Sequence, residues 1–267
     1  MRINLWENAP GFDSAIGQEE PAIRLHLLED GKPHGVVVVC PGGAYSGRCV
    51  EEEGEVPAAW LRSLGIHAVV LDYRFAPYRH PMPILDIKRA IRYVRFHAKE
   101  WNVIPDKIGV MGFSAGGHLA ACASVFFDHG DPAAQDPIDR ISSQPNAAVL
   151  CYPVVTLQKD FREEETPANL LGDKKNDQDW MNALSVHMHV TPQTPPTFIY
   201  HTMEDTCVRV ENAWLMAAAL RKHNVETEMH IFPHGEHGVS FQREAYPETC
   251  QWIDLCGRFL AVRGFVG

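Results

Sequence analysis

The chain has 267 residues, 45% hydrophobic and 22% charged, which is enough apolar side chain to fill the core of one soluble α/β domain. Its formal charge of −10 argues against a nucleic-acid partner, which selects for a basic face, but leaves a neutral small molecule open. No apolar run nears the roughly 18 residues of a membrane helix, residues 1–7 lack the apolar centre of a signal peptide, and the seven scattered cysteines form no C-x-x-C pair, so a cytoplasmic protein with reduced, mostly buried thiols is expected.

Residues 22–28 alternate in polarity and predict an outer strand. Residues 36–40, four valines and a cysteine, predict a strand buried on both faces. A helix is expected over 56–64, ending at Gly65, then a strand over 67–73 and a proline-rich loop over 76–83. Ile84, Ile87, Ile91 and Val94 recur at helical spacing, predicting a helix over 84–101. Strands are expected at 107–112 and 147–151, with a helix of small residues over 117–123 and an Asp- and Pro-rich loop over 128–145 between them. Residues 155–194 are polar and weakly helical near 167–171 and 180–184, and long insertions of this kind often cover an active site. A strand over 197–201, a helix over 211–222, a strand over 226–232 and a closing helix over 247–262 complete the chain. Strands alternating with helices predict a mostly parallel sheet with helices on both faces, as a single α/β domain over 1–267 with a modest insertion at about 155–194.

The chemistry centres on Gly112-Phe113-Ser114-Ala115-Gly116, which follows the apolar run 108–111. A strand, a glycine-flanked serine and a helix make a sharp turn that presents the hydroxyl, and the glycines remove side chains that would clash where strand and helix cross. A serine hydroxyl needs a base within hydrogen-bond reach. His237, in the short glycine-flanked loop after the last strand, is favoured over His234 for that role. Asp205, just after the strand at 197–201, is favoured over Glu204 as the orienting acid; its alternative role is to cap the next helix. The glycine-rich turn 40–45 and the residue after the serine predict an oxyanion hole from the N–H groups of Gly43, Ala44 and Ala115. Tyr45, Tyr152 and Trp180 are candidate pocket walls. His118 is expected to pack under the elbow, Glu51-Glu52-Glu53 to form a solvated face (with Glu53 able to order the loop beside Tyr45), and Asp72 and Asp86 to satisfy loop N–H groups. His187 and His189 lack partners at ligand spacing, so no metal is expected.

These segments resemble the α/β-hydrolase superfamily, and within it the small carbohydrate esterases and acetyl esterases, the xylan esterase-like and feruloyl/acetyl-xylan esterase-like group. The resemblance runs in order through Pro41-Gly42-Gly43-Ala44-Tyr45, Tyr73-Arg74-Phe75-Ala76-Pro77, residues 112–120, residues 194–198, residues 201–208 and residues 232–238. It implies Ser114 as nucleophile, His237 as base and Asp205 as its acid. Pro-Gly-Gly-Ala replaces the His-Gly-Gly-Gly of the hormone-sensitive-lipase-like branch, which moves the likeness towards the sugar esterases. The expected activity is hydrolysis of short, acetyl-type esters of a carbohydrate or similar small alcohol, without metal or organic cofactor and without nucleic-acid or membrane partners. A homo-oligomer is left open. An arylformamidase, a peptidase-type hydrolase and a catalytically silent binding protein are the alternatives.

Overall fold

The computed structural model describes residues 1–266, so Gly267, the last position of the expected domain, lies outside the described residues. The chain opens with strands β1 (Arg2–Asn4), β2 (Ala22–His26) and β3 (His34–Cys40), followed by α1 (Val56–Ser63), β4 (His67–Asp72) and α2 (Met82–Phe96). Then come β5 (Val103–Phe113), α3 (Ala115–Val125), β6 (Ala147–Cys151), α4 (Glu165–Leu171) and α5 (Gln178–Leu184). The last elements are β7 (Thr197–Thr202), α6 (Glu211–Lys222), β8 (Thr227–Phe232) and α7 (Gln251–Val262). The strands form one sheet in the order β1-β2-β4-β3-β5-β6-β7-β8, antiparallel at β1 and β2 and parallel from β4 to β8.

The unbroken valines of β3 follow from its place inside this sheet. Successive side chains point to opposite faces, so an interior strand needs apolar residues at every position. Val36 and Val38 join Val69, Leu71, Ile87 and Leu119 on one face. Val37 and Val39 join Val70, Leu61, Trp252 and Phe259 on the other. Helices α2, α3 and α6 therefore cover the first face, and α1 and α7 the second.

Three boundaries differ from expectation by four residues or more. α2 stops at Phe96 instead of reaching residue 101: His97 and Trp101 stack with Tyr93, and the chain reverses at Asn102, whose φ is 53°. The elbow strand starts earlier, at Val103, where it already pairs with His34 of β3. α7 starts at Gln251 rather than 247, and β1 is a three-residue edge strand too short to show a pattern. The 155–194 segment contains α4 and α5, and packs Leu170, Leu171, Met181 and Leu184 against the same core as α3. Among the described residues, no helix is long and apolar enough to cross a membrane.

Six parallel strands end at one edge of the sheet, where Cys40 lies beside Gly112, Phe113 beside Cys151, and Thr202 beside Phe232. In open α/β sheets, ligands bind beyond this carboxyl-terminal edge.

Candidate active site

Ser114 sits between β5 and α3 with φ 54° and ψ −120°, a conformation that costs a non-glycine residue on the order of 1–3 kcal/mol. The flanking glycines are steric requirements. A Cβ on Gly112 would lie 2.1 Å from the carbonyl oxygen of Gly116, and one on Gly116 would lie 2.1 Å from that of Cys40. Ser114 N–H donates to Cys151 at 3.0 Å, and its C=O accepts from His118 at 3.1 Å and Val154 at 3.1 Å. The turn is thus held from three sides. Ala44, Tyr45 and Tyr152 also have positive φ, so four of the six non-glycine residues described with that geometry surround this one edge.

The loop after β8 brings His237 Nε2 to 2.8 Å from Ser114 Oγ. Nδ1 of the same ring lies 2.7 Å from Asp205 Oδ2. Asp205 is itself immobilised: Oδ1 accepts the N–H groups of Cys207 at 3.0 Å and Val208 at 2.9 Å, and His201 Nε2 lies 3.2 Å from Oδ2. Burial pushes the Asp205 carboxyl up, but the hydrogen bonds from His201 and His237 outweigh it and hold its pKa down at about 2. A permanently charged Asp205 fixes the proton of His237 on Nδ1 and leaves Nε2 as an acceptor facing Ser114. The neighbouring pair goes elsewhere. Glu204 accepts from His234 at 2.9 Å and from Gly235 N–H at 3.0 Å, and both side chains are more than half exposed.

Gly42 N–H is occupied by Glu53 Oε2 at 2.7 Å, whereas no acceptor is paired with the N–H of Gly43, Ala44 or Ala115 among the described residues. The Gly43 and Ala44 donors lie on the rim of a cleft of about 410 Å³ that also contains Ser114, His237, Ser46, Cys49, Glu53, Glu163, Glu165, Cys207 and Gly238. The lining includes no Val, Leu, Ile, Met, Phe, Tyr or Trp and no Lys or Arg. Glu163 and Glu165 belong to the 155–194 segment, which reaches the cleft through the start of α4; Asn169 of α4 donates to Ala44 C=O at 2.9 Å.

The candidate walls distribute differently. Tyr45 is buried under the turn, its hydroxyl 2.9 Å from His118 Nδ1. Nε2 of that fully buried His118 is 2.8 Å from Leu184 C=O, and burial lowers its pKa to about 4. Tyr152 is buried behind His237, ring edge against ring at 5.0 Å. Trp180 is absent from the Ser114 cleft and instead lines a separate hollow with Arg79, His80 and Leu170. None of the three is a wall of the Ser114 cleft. His187 and His189 occupy a 3-10 turn. Asp86 accepts Arg74 N–H at 2.8 Å as expected and also pairs with its buried guanidinium at 2.6 Å; Asp72, expected to take loop N–H groups, instead pairs with Arg24 at 3.0 Å and Arg2 at 3.4 Å.

The expectation of a solvated acidic run is corrected at its last member. Residues Glu51–Glu55 form a π-helical turn ahead of α1, with Glu51 and Glu52 exposed and Glu53 buried. Glu53 Oε1 accepts from the Tyr152 hydroxyl at 2.5 Å. A signal was present: Glu53, Pro57 and Leu61 stand four residues apart and share the buried face. His201, the second imidazole beside Asp205, bonds through Nε2 to Val208 C=O at 2.7 Å and left no such trace because it lies inside a fully buried strand.

Comparison with known proteins places the chain in a family. The BD-FAE family model matches residues 26–220. The crystal structure of an acetyl ester-xyloside bifunctional hydrolase from Caldicellulosiruptor lactoaceticus superposes with a TM-score of 0.96 at 44% identity, covering 100% of this chain and 97% of that one. A thermophilic esterase from Thermogutta terrifontis gives a TM-score of 0.77 at 29% identity, covering 93% and 92%. Endo-1,4-beta-xylanase B of Butyrivibrio fibrisolvens is 33% identical over 92% of this chain and 39% of its own length. The acetylxylan esterase of Xylanibacter ruminicola is 31% identical over 81% and 46%. The chain thus spans less than half the length of these last two relatives. With the family match covering most of the chain and the shared sheet topology, the chain belongs to the BD-FAE family and has the α/β-hydrolase fold.

Proposed function

We propose that the chain is a serine esterase that removes short acyl groups, acetyl foremost, from a carbohydrate or similar small alcohol. The observation that carries this is the continuous relay Ser114 Oγ–His237 Nε2 at 2.8 Å and His237 Nδ1–Asp205 Oδ2 at 2.7 Å. In this reading Ser114 Oγ attacks the ester carbonyl as His237 Nε2 takes its proton, and Asp205 holds the ring and stabilises the imidazolium. The oxyanion accepts from the N–H groups of Gly43, Ala44 and Ala115. The C–O bond to the alcohol then breaks, the alcohol leaving with the proton from His237. Water, deprotonated by the same nitrogen, attacks the acyl-enzyme and releases the acid.

Short acyl groups are favoured because the cleft lining has no large apolar side chain to bury a fatty tail. A carbohydrate alcohol is supported by the acetyl ester-xyloside hydrolase and the acetylxylan esterase among the relatives. We further propose that residues 1–267 work as one domain with 155–194 as its insertion, and that the chain acts in the cytoplasm, in keeping with seven unpaired cysteines.

The test is a panel of acetylated xylooligosaccharides, p-nitrophenyl acetate, butyrate and octanoate, and N-formylkynurenine, with fluorophosphonate labelling of the wild type and Ser114→Ala. Acetate release from the oligosaccharides and labelling lost only in the variant are expected. Faster turnover of octanoate or N-formylkynurenine would reject the substrate class, and a folded, unlabelled wild type would reject the enzyme.

A further inference from the structure

Glu53 is the one carboxylate that lines the Ser114 cleft, is buried, and is neither in the proposed relay nor on a helix end. Its relative exposure is 7%, and among the described residues no Lys or Arg pairs with it. Burying a carboxylate without a cation is costly, and a neutral side chain of similar shape would fill the space more cheaply. Burial accordingly pushes the Glu53 carboxyl pKa up, opposed by hydrogen bonds from Tyr152 and Gly42.

The two oxygens divide their partners between the two halves of the site. Oε2 takes Gly42 N–H at 2.7 Å, the residue immediately before the free donors of Gly43 and Ala44. Oε1 takes the Tyr152 hydroxyl at 2.5 Å, and the Tyr152 ring backs His237. The backbone around Glu53 repeats the pattern. Its N–H donates to Cys49 C=O at 3.0 Å, and Cys49 N–H donates to Gly42 C=O at 2.9 Å, closing the oxyanion turn. Glu52 C=O accepts from Ser240 Oγ at 3.2 Å, in the loop that carries His237. π-helical turns, such as the one holding Glu53, occur often at functional sites.

We infer that Glu53 is a positioning residue whose single carboxylate locks the oxyanion turn through Gly42 and the His237 ring through Tyr152, setting the distance between them. A glutamine would keep Gly42 N–H on its carbonyl oxygen and donate its NH₂ to the Tyr152 hydroxyl, which also accepts, so it would release neither half of the site. A methionine keeps the length of the side chain but offers no oxygen to either donor, so both halves are released. This inference rests on the esterase reading for its magnitude, and the following experiment separates the two.

Glu53→Met and Tyr152→Phe are compared with wild type by the rate of Ser114 phosphonylation under a fluorophosphonate concentration series, by p-nitrophenyl acetate kinetics, and by amide hydrogen exchange over residues 42–46. Phosphonylation needs the serine, the base and the oxyanion donors but no particular acyl group. For Glu53→Met the maximal rate should fall about 10- to 100-fold, short of full loss of a donor, with half-saturation changed less than about threefold. Exchange over 42–46 should rise. Tyr152→Phe, which spares the Gly42 bond, should lose less rate and leave exchange over 42–46 unchanged. A role in stability alone would lower the melting temperature of Glu53→Met and leave its maximal rate within threefold of wild type, which overturns the inference. A wild type that is phosphonylated but hydrolyses no ester rejects the esterase reading and leaves the rate comparison standing. If the wild type is not phosphonylated, unchanged exchange over 42–46 in Glu53→Met still overturns the lock and increased exchange supports it.

Discussion

Asp205→Asn is the sharpest probe of the proposed relay, because the surroundings dictate how the new amide must sit. Oδ1 of Asp205 accepts two backbone N–H groups, from Cys207 and Val208. An asparagine can satisfy both only by putting its carbonyl oxygen there. Its NH₂ then takes the position of Oδ2, 2.7 Å from His237 Nδ1 and 3.2 Å from His201 Nε2. His237 must accept at Nδ1, so its proton moves to Nε2 and points at Ser114. The base is lost although the geometry survives. By analogy with this change in serine proteases, kcat should fall about 10⁴-fold, or about 5 kcal/mol in the barrier. Steady-state hydrolysis of p-nitrophenyl acetate, with circular dichroism to establish that the variant is folded, measures it. A folded Asp205→Asn enzyme within tenfold of wild type would refute the tautomer argument and the assignment of Asp205.

Three further outcomes follow from the same coordinates. The Asp205 pKa of about 2 lies below the ordinary aspartate value of 3.8, so its contribution to stability is complete above about pH 4 and lost as pH falls through about 2. That contribution is about 2 kcal/mol, and the unfolding free-energy gap between wild type and Asp205→Asn should narrow by this much between pH 5 and pH 2; a constant gap contradicts it. Gly116→Ala should cost more than about 3 kcal/mol or abolish soluble expression, since its Cβ would lie 2.1 Å from a backbone oxygen, whereas Gly47→Ala, with open space around it, should stay within about 1 kcal/mol in chemical denaturation. The cleft is lined by Glu53, Glu163 and Glu165 and by no Lys or Arg, so a neutral acetyl ester should be hydrolysed faster than one matched in size but carrying a carboxylate, and salt should narrow the difference. Equal rates at low salt would show that these charges do not reach the substrate.

The residues legible in the sequence were those whose positions depend on near neighbours. The valines of β3 announce a strand covered on both faces, and glycines two residues either side of Ser114 announce a turn too tight for a side chain, because each pattern expresses a local steric or burial demand. The isoleucine spacing of α2 was readable for the same reason, but its end was not: the stack of Tyr93, His97 and Trp101 places an apolar residue beyond the helix. Choosing between adjacent candidates needed the assembled sheet. Glu204 and Asp205 are consecutive and His234 and His237 lie close together, yet one pair faces solvent and the other meets Ser114, because successive residues leave a strand end on opposite sides and only the pairing of β7 with β8 decides which side is inward. Glu53 turned inward and Trp180 turned away for the same kind of reason. A side chain's destination is set by contacts with segments distant in the chain, here Tyr152 of β6's end and Gly42 of β3's end, and no local periodicity encodes those.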